Sequence, residues 1–536
     1  MEEFAALLDA LVYTTSRNRK LALIAAYLRS APDPDRGWAL AGLTEGLDFP
    51  AVKSSTIRNL MMERVDPVLW ALSRDFVGDT AETASLLWPE PEGAAPQPPL
   101  SLAEVVAQLA NLTRAAAPKE LPALFDRLDA RGRFALIKLA TGGMRVGVSA
   151  RLAKTAFAQA FDVAVEEVEE YWHALAPPYT ELFDWATGAA PAPDLANTPR
   201  FRPFMLAHPL EDDEVDLADY AAEWKWDGIR VQLVRAGNET RVFSRSGDDI
   251  SATFPELLGA LTVDAVLDGE LLVRGSAQGG DAGGAASFNA LQQRLGRKTV
   301  SKAMLRDYPA FVRLYDVLLL DGQDWREHPW KLRRATLEGL MARLPASHFD
   351  LSALVEAEDF AALAAIRDTA RDEAIEGLML KHRESPYVAG RKVGYWFKWK
   401  RDPLLIDCVL MYAQRGSGKR SSFYSDYTFG CWAGEPDANG LGGAELLPVG
   451  KAYSGFTDAE LKKLDKFVRQ NTLNKFGPVR EVQRALVFEV AFDSVHTSKR
   501  HKSGLAMRFP RIHRIRWDKP AHEADRLESL RALIKD

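Results

Sequence analysis

The chain has 536 residues, 47% of them hydrophobic and 26% charged, with a formal net charge of −6 and a pI near 6.0, a length that divides into several domains, each able to bury a core. Two cysteines, Cys408 and Cys431, exclude both a disulfide framework and a four-thiolate zinc site, so a reducing compartment is expected. The N-terminus reads Met-Glu-Glu with no basic region ahead of an apolar run, and no stretch is long enough to cross a bilayer, so no membrane partner and a cytoplasmic location are expected.

The acidic balance taken whole argues against a nucleic-acid binder, but charge acts locally. From Gly477 to Pro520 there are ten Lys/Arg against four Asp/Glu, 10 − 4 = +6, enough for a basic stripe that could neutralise phosphates.

In chain order, residues 1–195 read as a helical domain. Phe4, Leu7, Leu8, Leu11 and Val12 recur at helical spacing, as do Leu102, Val105, Val106, Leu109 and Leu112, and Ser101 with Glu104 fits a capping box. A Pro/Gly-rich loop, Trp88 to Leu100, divides the region. Pattern alone makes this an ordinary helical domain, interrupted by the glycine-rich stretch Gly142-Gly-Met-Arg-Val-Gly-Val-Ser149.

A Pro- and Ala-rich linker from Ala176 to about Pro203 leads into strands. Arg230–Val234 and Thr240–Ser244 alternate around a hairpin at Ala236-Gly-Asn-Glu239. This places Lys225 at the mouth of a sheet, just ahead of a strand. Further strands are expected at Val266–Val273, Phe311–Leu320 and Ile375–Lys381, with helices at Trp330–Leu344 and Asp359–Asp368. The Gly-rich run Gly275–Gly284 lacks the register of a phosphate loop and reads as a surface insertion. Gly416-Ser-Gly-Lys419 also fails as a phosphate loop, because Ala413 replaces the first glycine and Arg420 stands where Ser or Thr is needed. After Lys400 come short strands, Ile406–Ala413, Phe423–Trp432 and Leu486–Phe492, and one helix, Asp458–Gln470. Pattern alone fits an OB-fold or another small β-barrel.

Seven motifs stand in order: Glu223-Trp-Lys-Trp-Asp-Gly-Ile-Arg230, Ser244-Arg245-Ser246-Gly247, Leu267-Asp-Gly-Glu-Leu271, Leu314-Tyr-Asp-Val-Leu318, Glu376-Gly-Leu-Met-Leu-Lys381, Trp396-Phe-Lys-Trp-Lys400, and Arg508-Phe-Pro-Arg511 running into Arg516-Trp-Asp-Lys519. This series resembles the covalent nucleotidyltransferases, and among them the ATP-dependent DNA ligases, from about residue 200 to residue 520. Gly142–Ser149 is similar to a segment of the DNA-binding domain that precedes the catalytic core in larger ligases. The resemblance implies an all-α DNA-binding domain (1–195), an α+β adenylyltransferase domain with antiparallel sheets (200–400) and a C-terminal OB-fold barrel (401–536).

It also implies nick sealing through lysyl-AMP and DNA-adenylate, with ATP and Mg²⁺ as cofactors and nicked duplex DNA as partner, the chain acting as a monomer. A lysyl-AMP turns a poor phosphate electrophile into one with a good leaving group. Lys225 is the implied nucleophile. Glu223, Arg230, Arg245, Glu270, Tyr315, Lys381, Lys398, Lys400, Arg516 and Lys519 are the implied ATP ligands, and Glu270 and Glu376 the metal ligands. Arg145, Arg245, Lys419 and Arg420 are implied to touch DNA. Strand geometry adds a test: Lys398 and Lys400 face the same way, whereas Glu376 and Lys381 share a pocket only if the backbone bends, with Gly377 the obvious place.

An NAD-dependent ligase lacks support without finger thiols. An RNA ligase or capping enzyme leaves the helical region and Arg508–Arg511 unexplained. A nick-binding scaffold with a decayed site conflicts with intact motifs. A chain starting near Thr198 is expected to self-adenylate yet seal nicks poorly, and Arg516 and Lys519 to act only while the leaving phosphates are present.

Overall fold

The computed structural model describes residues 1–536 apart from 92–97, 196, 211–214, 275–284, 286–287, 296, 298–299, 370–374, 417–422, 437–442, 499–500 and 535–536. The Gly-rich run at 275–284 and the basic pair Lys419 and Arg420 lie outside the described residues. Contacts divide the chain into two units, Lys154–Arg401 on the one hand and Met1–Ala153 with Asp402–Asp536 on the other.

The unit Lys154–Arg401 is built on two largely antiparallel sheets. Its strands are β1 (Tyr220–Trp226), β2 (Ile229–Ala236), β3 (Glu239–Ser244), β4 (Ala265–Val273), β5 (Ala310–Leu320), β6 (Leu354–Val355), β7 (Ile375–His382) and β8 (Trp396–Lys400). One sheet runs β6-β1-β7-β8 and ends on the short strand His208–Pro209; the other runs β3-β2-β4-β5 and ends on Gln323–Asp324. Alternation decides which face of the second sheet is core. Val231, Leu233, Leu267, Leu271, Val312 and Leu314 pack with Leu337 and Leu340 of the helix Trp330–Leu340, while their strand neighbours Arg230, Gln232, Asp268 and Glu270 point to the opposite side. The first sheet buries Leu378, Leu380 and Trp399 against Leu363 of the helix Phe360–Thr369. Its other face carries Glu223, Lys225 and Lys381.

β1 itself was not legible from the sequence. Lys225 lies within this strand and only then, through Asp227-Gly228, precedes β2. The polar residues at alternate positions of β1 obscure the pattern because they face a functional layer rather than solvent. The helices Val165–Trp172 and Thr180–Ala186 also pack in this unit: the His173 ring lies edge-on to Phe201 with centroids 5.0 Å apart, and Glu170 pairs with Arg326 at 2.5 Å.

In the other unit, the helix Leu102–Asn111 opens on the expected capping box of Ser101 and Glu104. Phe4, Leu7, Leu8 and Leu11 are buried in the first helix, whereas Val12 near its end is exposed. The C-terminal segment is β-rich, with β9 (Leu404–Arg415), β10 (Tyr424–Trp432), β11 (Leu446–Ala452), β12 (Thr472–Phe476), β13 (Val479–Val482), β14 (Val487–Phe492) and β15 (Arg511–Arg516). They pair in the order β11-β10-β9-β13-β12, with β14 joining β9 to β15. The helix Asp458–Gln470 starts at a second capping box, Thr457 with Glu460. Cys408 and Cys431 are reduced and fully buried in its core.

Candidate active site

The first sheet assembles its polar face by register. Lys225 stands opposite Gly377, and Gly377 opposite Lys400; Glu223 stands opposite Met379, and Met379 opposite Lys398. Residues directly opposite share a face, so Glu223, Lys225, Lys398 and Lys400 line one surface. Glu376 would point away in a regular strand. A register shift between Ile375 and Gly377 inserts Glu376 as a bulge, and Gly377 adopts φ +143°. A Cβ at Gly377 would lie 2.3 Å from the Trp399 carbonyl oxygen, so the bend requires glycine. In consequence Glu376 reaches Lys225 Nζ, which donates to its Oε2, and Lys381 reaches Glu223 from the same face at 3.2 Å.

Glu376 also accepts from Lys400, at 3.0 Å. Burial opposes its ionisation, but Lys225 and Lys400 outweigh it and hold the carboxyl below the usual range. Lys398 is pushed down, first by partial burial and then by the surrounding charges of Arg391, Lys400, Lys225 and Arg245. Lys225, Lys398, Lys400, Arg245 and Arg391 therefore gather at one end of the site, Arg391 unmarked by any motif. Arg245 is exposed on the turn after β3.

The second sheet presents its own charges to this layer. Gly228 lets the chain cross between sheets, because a Cβ there would lie 2.4 Å from the Leu271 carbonyl oxygen. Its N–H donates to Glu270 at 3.2 Å. Burial raises the Glu270 carboxyl to about 7, against the pull of nearby Lys225 and Arg230 and helped by Glu376 and Asp268. Arg230 is heavily engaged: it donates to Asp268 at 3.1 and 2.7 Å, to the Met205 carbonyl at 2.8 Å and to the Tyr387 hydroxyl at 3.3 Å. Tyr387 in turn donates to Asp268 at 2.7 Å. Asp268 and Tyr387 are thus site residues that the sequence reading missed, the first although it lies in a quoted motif, the second with no signal at all.

Tyr315 sits where β5 skips a register between Leu314 and Asp316, a bulge that turns its ring toward Lys381, 4.6 Å from the ring centroid. Glu223 is 1% exposed and faces Lys381 at 3.2 Å and Arg334 at 3.7 Å. Burial raises its carboxyl despite both cations and lowers the Lys381 ammonium.

The remaining expected residues lie in the other unit. Arg516 and Lys519 both approach Asp407, at 3.6 and 2.7 Å. Arg145 is exposed in a left-handed conformation at φ +50° between glycines. Among the described residues no group of three or more His, Cys, Asp or Glu is placed to hold a metal. Glu270 and Glu376 are close enough to perturb each other, and two hard carboxylates fit a magnesium ion that also takes phosphate oxygens from its substrate rather than one caged by protein alone.

A lysine flanked by cations on one antiparallel sheet, with paired acids facing it, is the class of site an adenylyltransferase domain requires. Comparison with known proteins is specific. The family model described as ATP dependent DNA ligase domain matches residues 204–400, with the ligase N terminus at 1–158 and the C terminal region at 420–519. A probable DNA ligase of Koribacter versatilis (strain Ellin345) is 32% identical over 100% of this chain and 96% of its own length. DNA ligase 1 of Korarchaeum cryptofilum (strain OPF8) is 30% identical over 100% of this chain and 98% of its own. The solved structure titled Pmar-Lig_Pre shares the fold, with a TM-score of 0.59 at 18% identity, covering 96% of this chain and 99% of that one. The chain belongs to the ATP-dependent DNA ligase family.

Proposed function

We propose that the chain seals 3′-hydroxyl, 5′-phosphate nicks in duplex DNA, with Lys225 as the residue that carries AMP. The observation that supports it most is the convergence of Lys225, Lys398 and Lys400 with Glu376 on one sheet face, made possible by the Gly377 bulge. Lys225 Nζ attacks the α-phosphorus of ATP and pyrophosphate leaves. The nearby cations Lys398, Lys400 and Arg245 balance phosphate charge. Glu223, Tyr315 and Lys381 form the buried, aromatic end suited to the base, and Arg230 closes the layer beside the ribose. Glu270 and Glu376 would hold Mg²⁺, which when bound would offset charge developing on the phosphates. Arg516 and Lys519 are assigned the β- and γ-phosphates.

In the same reading residues 1–195 form the DNA-binding domain, with Arg145 on the backbone, 200–400 the adenylyltransferase domain and 401–536 an OB-fold whose Lys419 and Arg420 meet DNA. The chain works as a cytoplasmic monomer. The test offers radiolabelled ATP, GTP and NAD with Mg²⁺, then nicked DNA or RNA duplexes. Covalent label from ATP alone, absent from Lys225→Ala, and joining of DNA nicks are expected. Label from GTP, or joining confined to RNA, would replace this reading with a capping-type or RNA ligase.

A further inference from the structure

The C-terminal motif ends in an arrangement that its own residues do not explain. Lys519 Nζ donates to Asp407 Oδ2 at 2.7 Å, and Arg516 Nη1 stands 3.6 Å from the same oxygen. Arg516 also grips Asp518, at 3.0 and 2.8 Å. Asp407 comes from β9, 112 residues before Lys519, and its backbone is fixed on both sides. Its N–H donates to Asp525 Oδ2 at 2.8 Å, its carbonyl accepts from the Asp525 N–H at 2.9 Å, and it stands opposite Glu489 on β14. The Asp407 side chain is 11% exposed, and its other oxygen, Oδ1, is buried with no hydrogen-bond partner among the described residues.

A buried carboxylate placed for stability alone would satisfy both oxygens. This one turns a single oxygen to two cations, and its second oxygen has no partner among the described residues. The arrangement holds the Arg516 and Lys519 side chains next to each other on one carboxylate at a partly exposed edge, with Asp518 gripping the other side of Arg516. Such an edge suits neighbouring phosphates, which need adjacent cations set in advance.

We propose that Asp407 is a positioning residue for lysyl-AMP formation: from the rigid strand β9 it sets Arg516 and Lys519 side by side to receive the departing pyrophosphate. The inference rests on the assignment of Arg516 and Lys519 given above. In the step concerned, a bond forms between Lys225 Nζ and the α-phosphorus and the α-phosphorus bond to the bridging oxygen breaks. The electron pair leaves with pyrophosphate, and the lysine proton passes to solvent. Asp407 touches none of the reacting atoms. Its effect is confined to steps in which pyrophosphate is present, in either direction.

The experiment uses the full chain with Asp407→Asn, which keeps the shape and removes the charge, and with Asp407→Glu, which keeps the charge on a longer stem. Lysyl-AMP formation over a range of ATP, release of AMP from preformed lysyl-AMP by added pyrophosphate, and sealing of a nick already carrying AMP are measured for each. Asp407→Asn is expected to slow the first two together by roughly tenfold, the scale of losing one charge-assisted hydrogen bond, and to leave the third within about twofold of the parent. Asp407→Glu is expected to recover part of the loss. Unchanged pyrophosphate-dependent steps, or an equal fall in all three, would overturn the proposal. Arg516→Ala and Lys519→Ala run in parallel: if they lose lysyl-AMP formation while Asp407→Asn keeps it, only the assignment of Asp407 falls. If they keep it, the underlying assignment of the two cations falls with it.

Discussion

Glu376 and Asp316 are both carboxylates on strands of the same unit, and they are used in opposite ways. Asp316 faces one arginine, Arg333, at 2.8 and 2.9 Å, with both side chains 0% exposed. Arg333 also donates to the carbonyls of His328 and Ser385 at 2.6 and 2.9 Å. That cluster is neutral and closed, and no ligand can enter it without leaving a buried charge alone. Glu376 instead serves Lys225 and Lys400, the latter 47% exposed. One negative charge between two positive ones leaves an excess cation facing outward, so this cluster is stable yet unsatisfied. An anion can complete it. The count of partners and the exposure, rather than the presence of an ion pair, separate the carboxylate proposed to act in the site from the architectural one.

The comparison breaks most completely at Lys225, the proposed carrier of AMP. Lys225→Arg keeps the charge beside Glu376 and should leave the melting temperature close to the parent's. Guanidinium does not give up a proton at any working pH, so covalent AMP should vanish altogether. Labelled protein from this variant would place the nucleophile elsewhere.

A truncation sharpens it next. A chain starting near Ser149 retains the helices Val165–Trp172 and Thr180–Ala186, which pack through His173 and Glu170. It should self-adenylate but seal nicks poorly, less so at low salt where the remaining phosphate contacts strengthen. A chain starting near Thr198, expected from sequence to self-adenylate, loses the His173 ring that packs on Phe201 and Phe243 and should instead aggregate or adenylate far less. Equal adenylation by both chains would show that these helices are dispensable to the catalytic unit.

At the closed pair, Arg333→Ala should cost about 3–5 kcal/mol by stranding Asp316, and joint replacement Arg333→Met with Asp316→Leu should recover much of it. Lys400→Ala, at an exposed position, should cost less than about 1 kcal/mol while depressing lysyl-AMP formation. Thermal melts read the first, label incorporation the second. A melt for Arg333→Ala matching that of Lys400→Ala would remove the distinction drawn here.

The last effect depends on pH and concerns Glu270. Its folded-state pKa of about 7 lies above the ordinary 4.5, so the folded chain holds a proton that the unfolded chain loses between those values. Stability from this group is therefore intact below about pH 4.5, falls as pH rises toward 7, and stays reduced above it. Glu270→Gln should be more stable than the parent above pH 7, by roughly 3 kcal/mol at most, with the gain disappearing toward pH 4.5 and activity low throughout. A gain that grows as pH falls would mean that burial does not govern this carboxyl.

The sequence by itself determined the order of the chemistry. The helical region, the strands at Val266–Val273 and Phe311–Leu320 and the helix Asp458–Gln470 follow from periodicity, and the requirement for a bend at Gly377 follows from counting positions between Glu376 and Lys381. These are local properties, fixed by side-chain direction along one strand or helix. β1 stayed hidden because its alternate residues, buried Glu223 and half-buried Lys225, are charged and face a polar layer, which defeats a reading based on water. The partners of the charged residues were beyond reach for a different reason. Glu376 meets Lys225 across 151 residues, Asp268 meets Arg230 across 38, and Asp407 meets Lys519 across 112. Sequence names the groups that carry charge, but only folding brings each carboxylate within bonding distance of one cation or of two, and that number decides whether the cluster is closed or left ready for phosphate.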